Sequence, residues 1–212
     1  FLFYHCLIYC YNHAMLDERF VWVGFILSFY GGLSYLIDTL KGKTKPNRVT
    51  WFFWALAPLI AFFAEIQKGV GLQVWMTFSV GFNPLLILIA SFFNKKSYWK
   101  LKKNDYYYGG LALLGVIIWQ ITGEGNMAIL FAILADGFAA IPTVIKSYFE
   151  PKTESSTIFL YGMVNSAITM LTIKVWDFAH WGFPVYIFGI CAILYVLIRF
   201  KFGLVIQKRL KK

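Results

Sequence analysis

Apolar residues run through this chain in long blocks separated by short polar stretches. Blocks long enough, or nearly so, to cross a bilayer fall at about 20–40, 50–66, 71–93, 107–122, 126–148, 155–173 and 181–200. A helical crossing takes ~20 residues, so the pattern predicts seven transmembrane helices. The connections are short and almost nothing is left for a soluble domain, so the helices are expected to form one compact all-α bundle. Composition agrees. Hydrophobic residues make up 59% of the chain and charged residues 14%, against ~25% charged in ordinary soluble domains. Mean hydropathy is +0.64.

A net charge of +10 raises the question of nucleic acid. The placement of the charge excludes it. Of the 20 basic residues, 17 fall on alternate connections and the tail: Lys41, Lys43, Lys45 and Arg48; Lys95, Lys96, Lys100, Lys102 and Lys103; Lys146 and Lys152; Arg199, Lys201, Lys208, Arg209, Lys211 and Lys212. Arg19, Lys68 and Lys174 are alone on the other side. Lys and Arg collect in cytoplasmic loops. The N-terminus is therefore expected outside and the C-terminus in the cytoplasm, with the basic face against anionic lipid heads. Cys6, Cys10 and Cys191 show no metal or disulfide spacing, and no cofactor is indicated. Residues 1–14 lack the basic start of a signal peptide. Met15 opens the stretch MLDERF and reads as a natural start, with 1–14 arising upstream of it. The alternative is a short interfacial segment.

The chain also repeats itself. Shifted by 105 residues, Gly32 falls on Gly137, Lys41 on Lys146, Pro46 on Pro151 and Thr50 on Ser155. Each copy ends a helix, crosses a basic loop with proline, and opens the next helix on a hydroxyl residue, so Thr50 and Ser155 are expected N-caps. The unit is three helices. Two parallel copies need one linking helix between them, a 3+1+3 plan used by transporters with a solute site at the repeat interface. The divisions expected are an N-terminal extension (1–19), a first repeat (20–93), a basic loop with linker helix (94–125), a second repeat (126–203) and a basic tail (204–212).

This plan, with IPTVIKSYFEPKTESSTIFLYG at 141–162 and IFGICAILYVLIRFK at 187–201, resembles the PQ-loop superfamily and within it the SWEET sugar transporters. Pro142, Lys146, Ser147, Glu154 and Ser155 match that family's helix-ending proline, basic loop and serine. The resemblance implies the 3+1+3 fold, sugar transport, and a sugar-binding role for Asn83. The proline–glutamine pair that names the superfamily is absent, since Pro142 precedes Thr143 and Ile37–Asp38 stands in the first copy. A second sugar-binding asparagine has no counterpart between Trp181 and Phe200.

Polar residues inside the apolar blocks are the candidate site. Asp136, Asn165 and Asn83 lie 12, 10 and 11 residues from Tyr148, Ser155 and Asn94, the block ends nearest the basic side. At helical rise these are depths of ~18, ~15 and ~16 Å, near the middle of a ~30 Å core. Unpaired polar groups are costly there, so the three are expected to face one another or a wet cavity. Helical spacing adds Ser34 beside Tyr30 and Asp38, and Tyr161 beside Asn165 and Thr169. Trp54 can stack on a sugar ring, or join Trp51, Trp75, Trp99 and Trp181 in an interfacial belt. Pro58, Pro84 and Pro142 bend helices and suit gating. Asp38 is a gate or an ion pair with Lys41. Glu65 and His180 read as solvated at the outer edge. Bland readings stand beside these: Asp136 as an interhelical hydrogen bond, Asn83 as a cap on the Pro84 kink, Asn165 as packing glue.

The reading that results is a transporter of a small polar solute, a sugar first, by alternating access. A proton-coupled carrier of an amino acid, vitamin or nucleoside, and a non-transporting receptor, are the alternatives. Self-association is left open. An intramembrane enzyme is not expected: Asp136, Gly137 and Ala140 begin a phosphotransferase-like motif, but Ile141 replaces its arginine and no further aspartates follow.

Overall fold

The computed structural model of the chain describes residues 14–97, 99–122 and 125–210. These residues form helices α1 (Val21–Leu40), α2 (Arg48–Gln67), α3 (Val74–Ala90), α4 (Lys103–Thr122), α5 (Gly125–Phe149), α6 (Thr157–Leu171), α7 (Phe178–Arg199) and α8 (Phe202–Leu210). No strand occurs among the described residues. The all-helical expectation holds, and α1–α7 start and stop within four residues of the seven apolar blocks. Composition gave residues 204–212 as a basic tail, whereas Phe202–Leu210 turns into a short helix after Lys201, whose φ is +51°. The readings on residues 1–13, including Cys6 and Cys10, fall outside the described residues.

The helix starts correct two assignments. Asn47, not Thr50, caps α2: its side-chain oxygen accepts from the N–H groups of Val49 (3.1 Å) and Thr50 (3.3 Å). Thr50 is a turn inside the helix and fully buried. Helix α6 starts after Ser156 rather than Ser155, and no side chain caps it. Asn is as good a cap as Thr, and here it stands immediately after the proline that ends the preceding loop.

Among the described residues, four stretches are long and apolar enough to cross a membrane: Glu18–Leu40, Arg48–Gln67, Gly125–Phe149 and Phe178–Arg199. Val74–Ala90 and Thr157–Leu171 are shorter apolar helices. The exterior, unlike that of a soluble protein, is as apolar as the interior. Large apolar side chains such as Ile26, Leu33, Phe63, Phe93 and Ile193 stand exposed around the outside, while Ser28, Thr77, Ser79, Asn83, Asp136, Thr143, Asn165 and Thr169 are buried. Exposed apolar surface on this scale calls for a nonaqueous surround, which makes this a membrane protein.

The packing order places the site. Helix α3 packs on both α1 and α2, and α7 packs on both α5 and α6. Across the middle, α1 packs on α6 and α2 on α5, while α4 lies against α5 with a smaller contact to α2. Small residues set the closest approaches. A Cβ at Gly32 of α1 would lie 2.5 Å from Cγ of Asn83 on α3, and one at Gly24 would collide with Oδ1 of Asn165 on α6.

Candidate functional site: a buried cavity among six helices

Both asparagines sit in glycine notches of α1; Asn83 ties α1 to α3, and Asn165 ties α6 to α3. Asn83 Nδ2 donates to the backbone carbonyl of Ser28 (3.1 Å) and to its hydroxyl (3.2 Å). Both amide hydrogens are thereby engaged, leaving the carbonyl oxygen as the remaining acceptor. Asn165 Nδ2 donates to Ser79 Oγ (3.0 Å), whose own proton goes to the carbonyl of Met76 (2.7 Å). Asn165 Oδ1 has no partner in the protein.

Asp136, on α5, meets α7. Its Oδ2 accepts from the hydroxyl of Tyr186 at 2.6 Å, while Oδ1 is buried without a partner. No cation stands among its hydrogen-bond partners, and Lys146 is engaged elsewhere. On α2, Trp54 and Trp51 pack edge to face with centroids 5.3 Å apart. Their indole N–H groups are likewise buried without an acceptor.

These groups surround a cavity of about 60 Å³. Ser28 comes from α1, Trp51 and Trp54 from α2, Ser79, Asn83 and Pro84 from α3, Asp136 from α5, Gly162 and Phe159 from α6, and Ile187 and Cys191 from α7. Among the described residues, none of α4 lines it. A water occupies roughly 30 Å³ of liquid, so the space holds water-sized guests, well below the ~300 Å³ at which ordinary ligand pockets begin.

Of the residues singled out in the sequence, Asn83, Asp136, Trp54 and Pro84 line this cavity, and Asn165 lies one hydrogen bond behind it through Ser79. Ser34 and Tyr161 do not line it. Tyr161 packs edge to face on Tyr30, which is exposed on the outer surface. Pro58 is buried inside α2. Pro142 borders a separate cavity of about 210 Å³ near Trp99, Lys102 and Lys146. Asp38 is paired with Lys43 at 3.5 Å, not with Lys41.

Three expectations are corrected. Glu65 is buried, with Oε1 accepting from the Thr77 hydroxyl at 3.1 Å, because α3 folds back over the end of α2 and covers it. Trp51 is fully buried, not interfacial, because α2 turns it inward onto Tyr35. Lys146 belongs to no loop: it lies within α5 and is buried against Glu154. His180 is half-buried and bonded to Asp177 at 2.6 Å. Asp177 caps α7; burial pushes its carboxyl up, but the hydrogen bonds from the His180 ring and the backbone N–H groups of His180 and Ala179, with the attraction of His180, together hold it below the ordinary value.

Sequence reasoning missed Tyr186 and Ser28. Tyr186 was findable: it stands 13 residues before Arg199, a depth of ~20 Å by helical rise, level with Asp136. Ser28 carried no signal, since its role depends on the approach of α3. Compared with known proteins, the chain matches no family model, no curated protein and no solved structure.

Proposed function

We propose that this chain is a membrane transporter that moves a small polar solute, a sugar first, by alternating access between two three-helix units, α1–α3 and α5–α7, with α4 as the link. The observation that carries the reading is the cavity: it lies between the two units, and each supplies polar groups to it. Its unsatisfied set includes indole N–H donors and a carboxylate oxygen. A hydroxyl both donates and accepts, so a hydroxylated solute can answer both kinds of group.

Helix packing supports the repeat. Among these six helices, with α4 set aside, exchanging α1 with α5, α2 with α6 and α3 with α7 turns packed pairs into packed pairs: α1–α3 into α5–α7, α2–α3 into α6–α7, α1–α6 into α5–α2. Two parallel repeats about one axis require this interchange. The basic residues support an orientation with the N-terminus outside and the C-terminus in the cytoplasm. At about 60 Å³ the cavity is too small for a sugar, so a sugar binds only once the units part.

Asp136 favours a second reading of the same site. A buried carboxylate with one free oxygen suits a proton-coupled carrier of an amino acid, vitamin or nucleoside. Thermal-shift screening of the purified protein against sugars, amino acids and nucleosides tests both readings, because a ligand of the folded state raises its apparent stability. Uptake of the hit into proteoliposomes should follow. Asn83→Ala should weaken binding while the protein still folds; full affinity in this variant would remove the cavity as the site. Asp136→Asn retains an acceptor for Tyr186, so it should keep the fold and exchange without a gradient. It should abolish pH dependence of uptake, and a persisting pH dependence would eliminate the proton-coupled reading.

A further inference from the structure

At the basic end of the bundle, two opposite charges are buried together. Lys146 Nζ lies 2.5 Å from Glu154 Oε1, and the two side chains are 1% and 0% exposed. Lys146 is on α5 and Glu154 in the α5–α6 connection, so the pair alone belongs to one half of the molecule. Its remaining bonds reach the other half. The hydroxyl of Tyr35, on α1, donates to Glu154 Oε2, and Lys146 Nζ donates to the carbonyl of Lys45 in the α1–α2 connection. The backbone N–H of Lys45 also donates to the carbonyl of Thr153 at 3.0 Å. Trp99, from the α3–α4 connection, places its ring 4.7 Å from Lys146 Nζ.

The cluster also touches the cavity wall. The Tyr35 ring packs on Trp51 with centroids 4.7 Å apart, and Trp51 lines the cavity. One continuous set of contacts therefore runs from the buried ion pair to the candidate solute site.

We propose that Lys146, Glu154 and Tyr35 form a latch that closes the basic end of the bundle over the cavity; the inference rests on the reading of that cavity as a transport site. A buried ion pair has two favourable conditions, fully bonded and dry or fully hydrated, and intermediate separations leave desolvated charge without compensation. Such an element is two-state. While α1 and the α1–α2 connection are in place, Tyr35 and the Lys45 carbonyl complete the shells of both charges. When the halves part, those bonds are lost and water replaces them. The opposite end of the bundle is joined by neutral bonds, Gln73 Nε2 donating to the carbonyl (3.1 Å) and hydroxyl (3.3 Å) of Thr172, and by an exposed ion pair, Lys174 Nζ to Glu18 Oε2 at 3.7 Å, which water weakens. The strong closure is therefore at the basic end.

Cys191 lines the cavity and reports its opening. The experiment uses the full chain with Cys6 and Cys10 replaced by serine, reconstituted in nanodiscs. The rate at which methanethiosulfonate ethylammonium modifies Cys191 is measured. Tyr35→Phe keeps the ring on Trp51 and removes one bond to Glu154. Loss of a hydrogen bond to a charged group should raise the labelling rate about tenfold. The double variant Lys146→Met/Glu154→Gln removes both charges without stranding either, and should raise the rate at least as much. Native circular dichroism and a cooperative melt establish that the labelled protein is folded; where the double variant does not fold, Tyr35→Phe decides. Labelling at the unaltered rate, or slower, in a folded variant overturns the latch. Faster labelling with no solute crossing in any uptake assay keeps the latch and overturns the transport reading instead.

Discussion

Gly32 determines how near α1 comes to α3, and through that whether Asn83 reaches the Ser28 carbonyl. A methyl group there meets the Asn83 side chain at 2.5 Å, inside a buried contact that cannot open toward solvent. Gly32→Ala should therefore push Asn83 off Ser28 and lower stability by about 1–3 kcal/mol, the range for overpacking a core. Gly110, on the exposed face of α4, has nothing within 4 Å of the same added group. Gly110→Ala should be neutral or stabilise by up to ~1 kcal/mol, since only the helix preference of alanine acts there. Melting both variants against the parent in one detergent checks the pair, and equal shifts would contradict the notch.

Among the elements, α7 depends visibly on its first turn. Asp177 accepts from the backbone N–H of His180 at 3.1 Å and bonds its ring at 2.6 Å. Asp177→Ala should cost about 1 kcal/mol, the usual cost of losing an N-cap. The contribution also has a definite pH sign. Because the folded carboxyl is held below its ordinary value, the ionised form is favoured in the folded protein. The stabilisation is complete above the unfolded carboxyl's range and is lost as pH falls through the lower folded value. The gap in melting temperature between parent and Asp177→Ala should accordingly be full near neutrality and shrink in strong acid. A gap that widens on acidification would refute the cap.

The proposed orientation of the whole molecule rests on where its basic residues lie. Cysteines introduced singly at Lys43 or Lys100, in a background with Cys6, Cys10 and Cys191 replaced by serine, should react with an impermeant maleimide only from the cytoplasmic side. One at Gly69, whose φ of +74° puts it in the turn after α2, should react only from outside. Labelling of the Lys100 site from outside would invert the proposed topology, and with it the side on which the latch acts.

All-helical character, the approximate ends of the apolar blocks and membrane character were legible in the sequence because each is a one-dimensional property. Block length against bilayer thickness needs no knowledge of neighbours. Counting residues from the block ends placed Asn83 and Asp136 at one level, and both line one cavity. Facing was not. Ser34 and Tyr161 share stripes with polar residues, yet the rotation of α1 and α6 that buries Gly24 against Asn165 leaves Tyr161 packed on the exposed Tyr30. Rotation about a helix axis is set by the fit of side chains on two helices at once, and an apolar block carries little record of it when lipid and protein interior are equally apolar. Burial of charge escaped the sequence for a related reason. Lys146 and Glu154 look like loop residues, because a basic and an acidic residue near a proline ordinarily lie in water. Only the approach of Tyr35 and the Lys45 carbonyl from the other half completes the bonds that allow both charges to leave it.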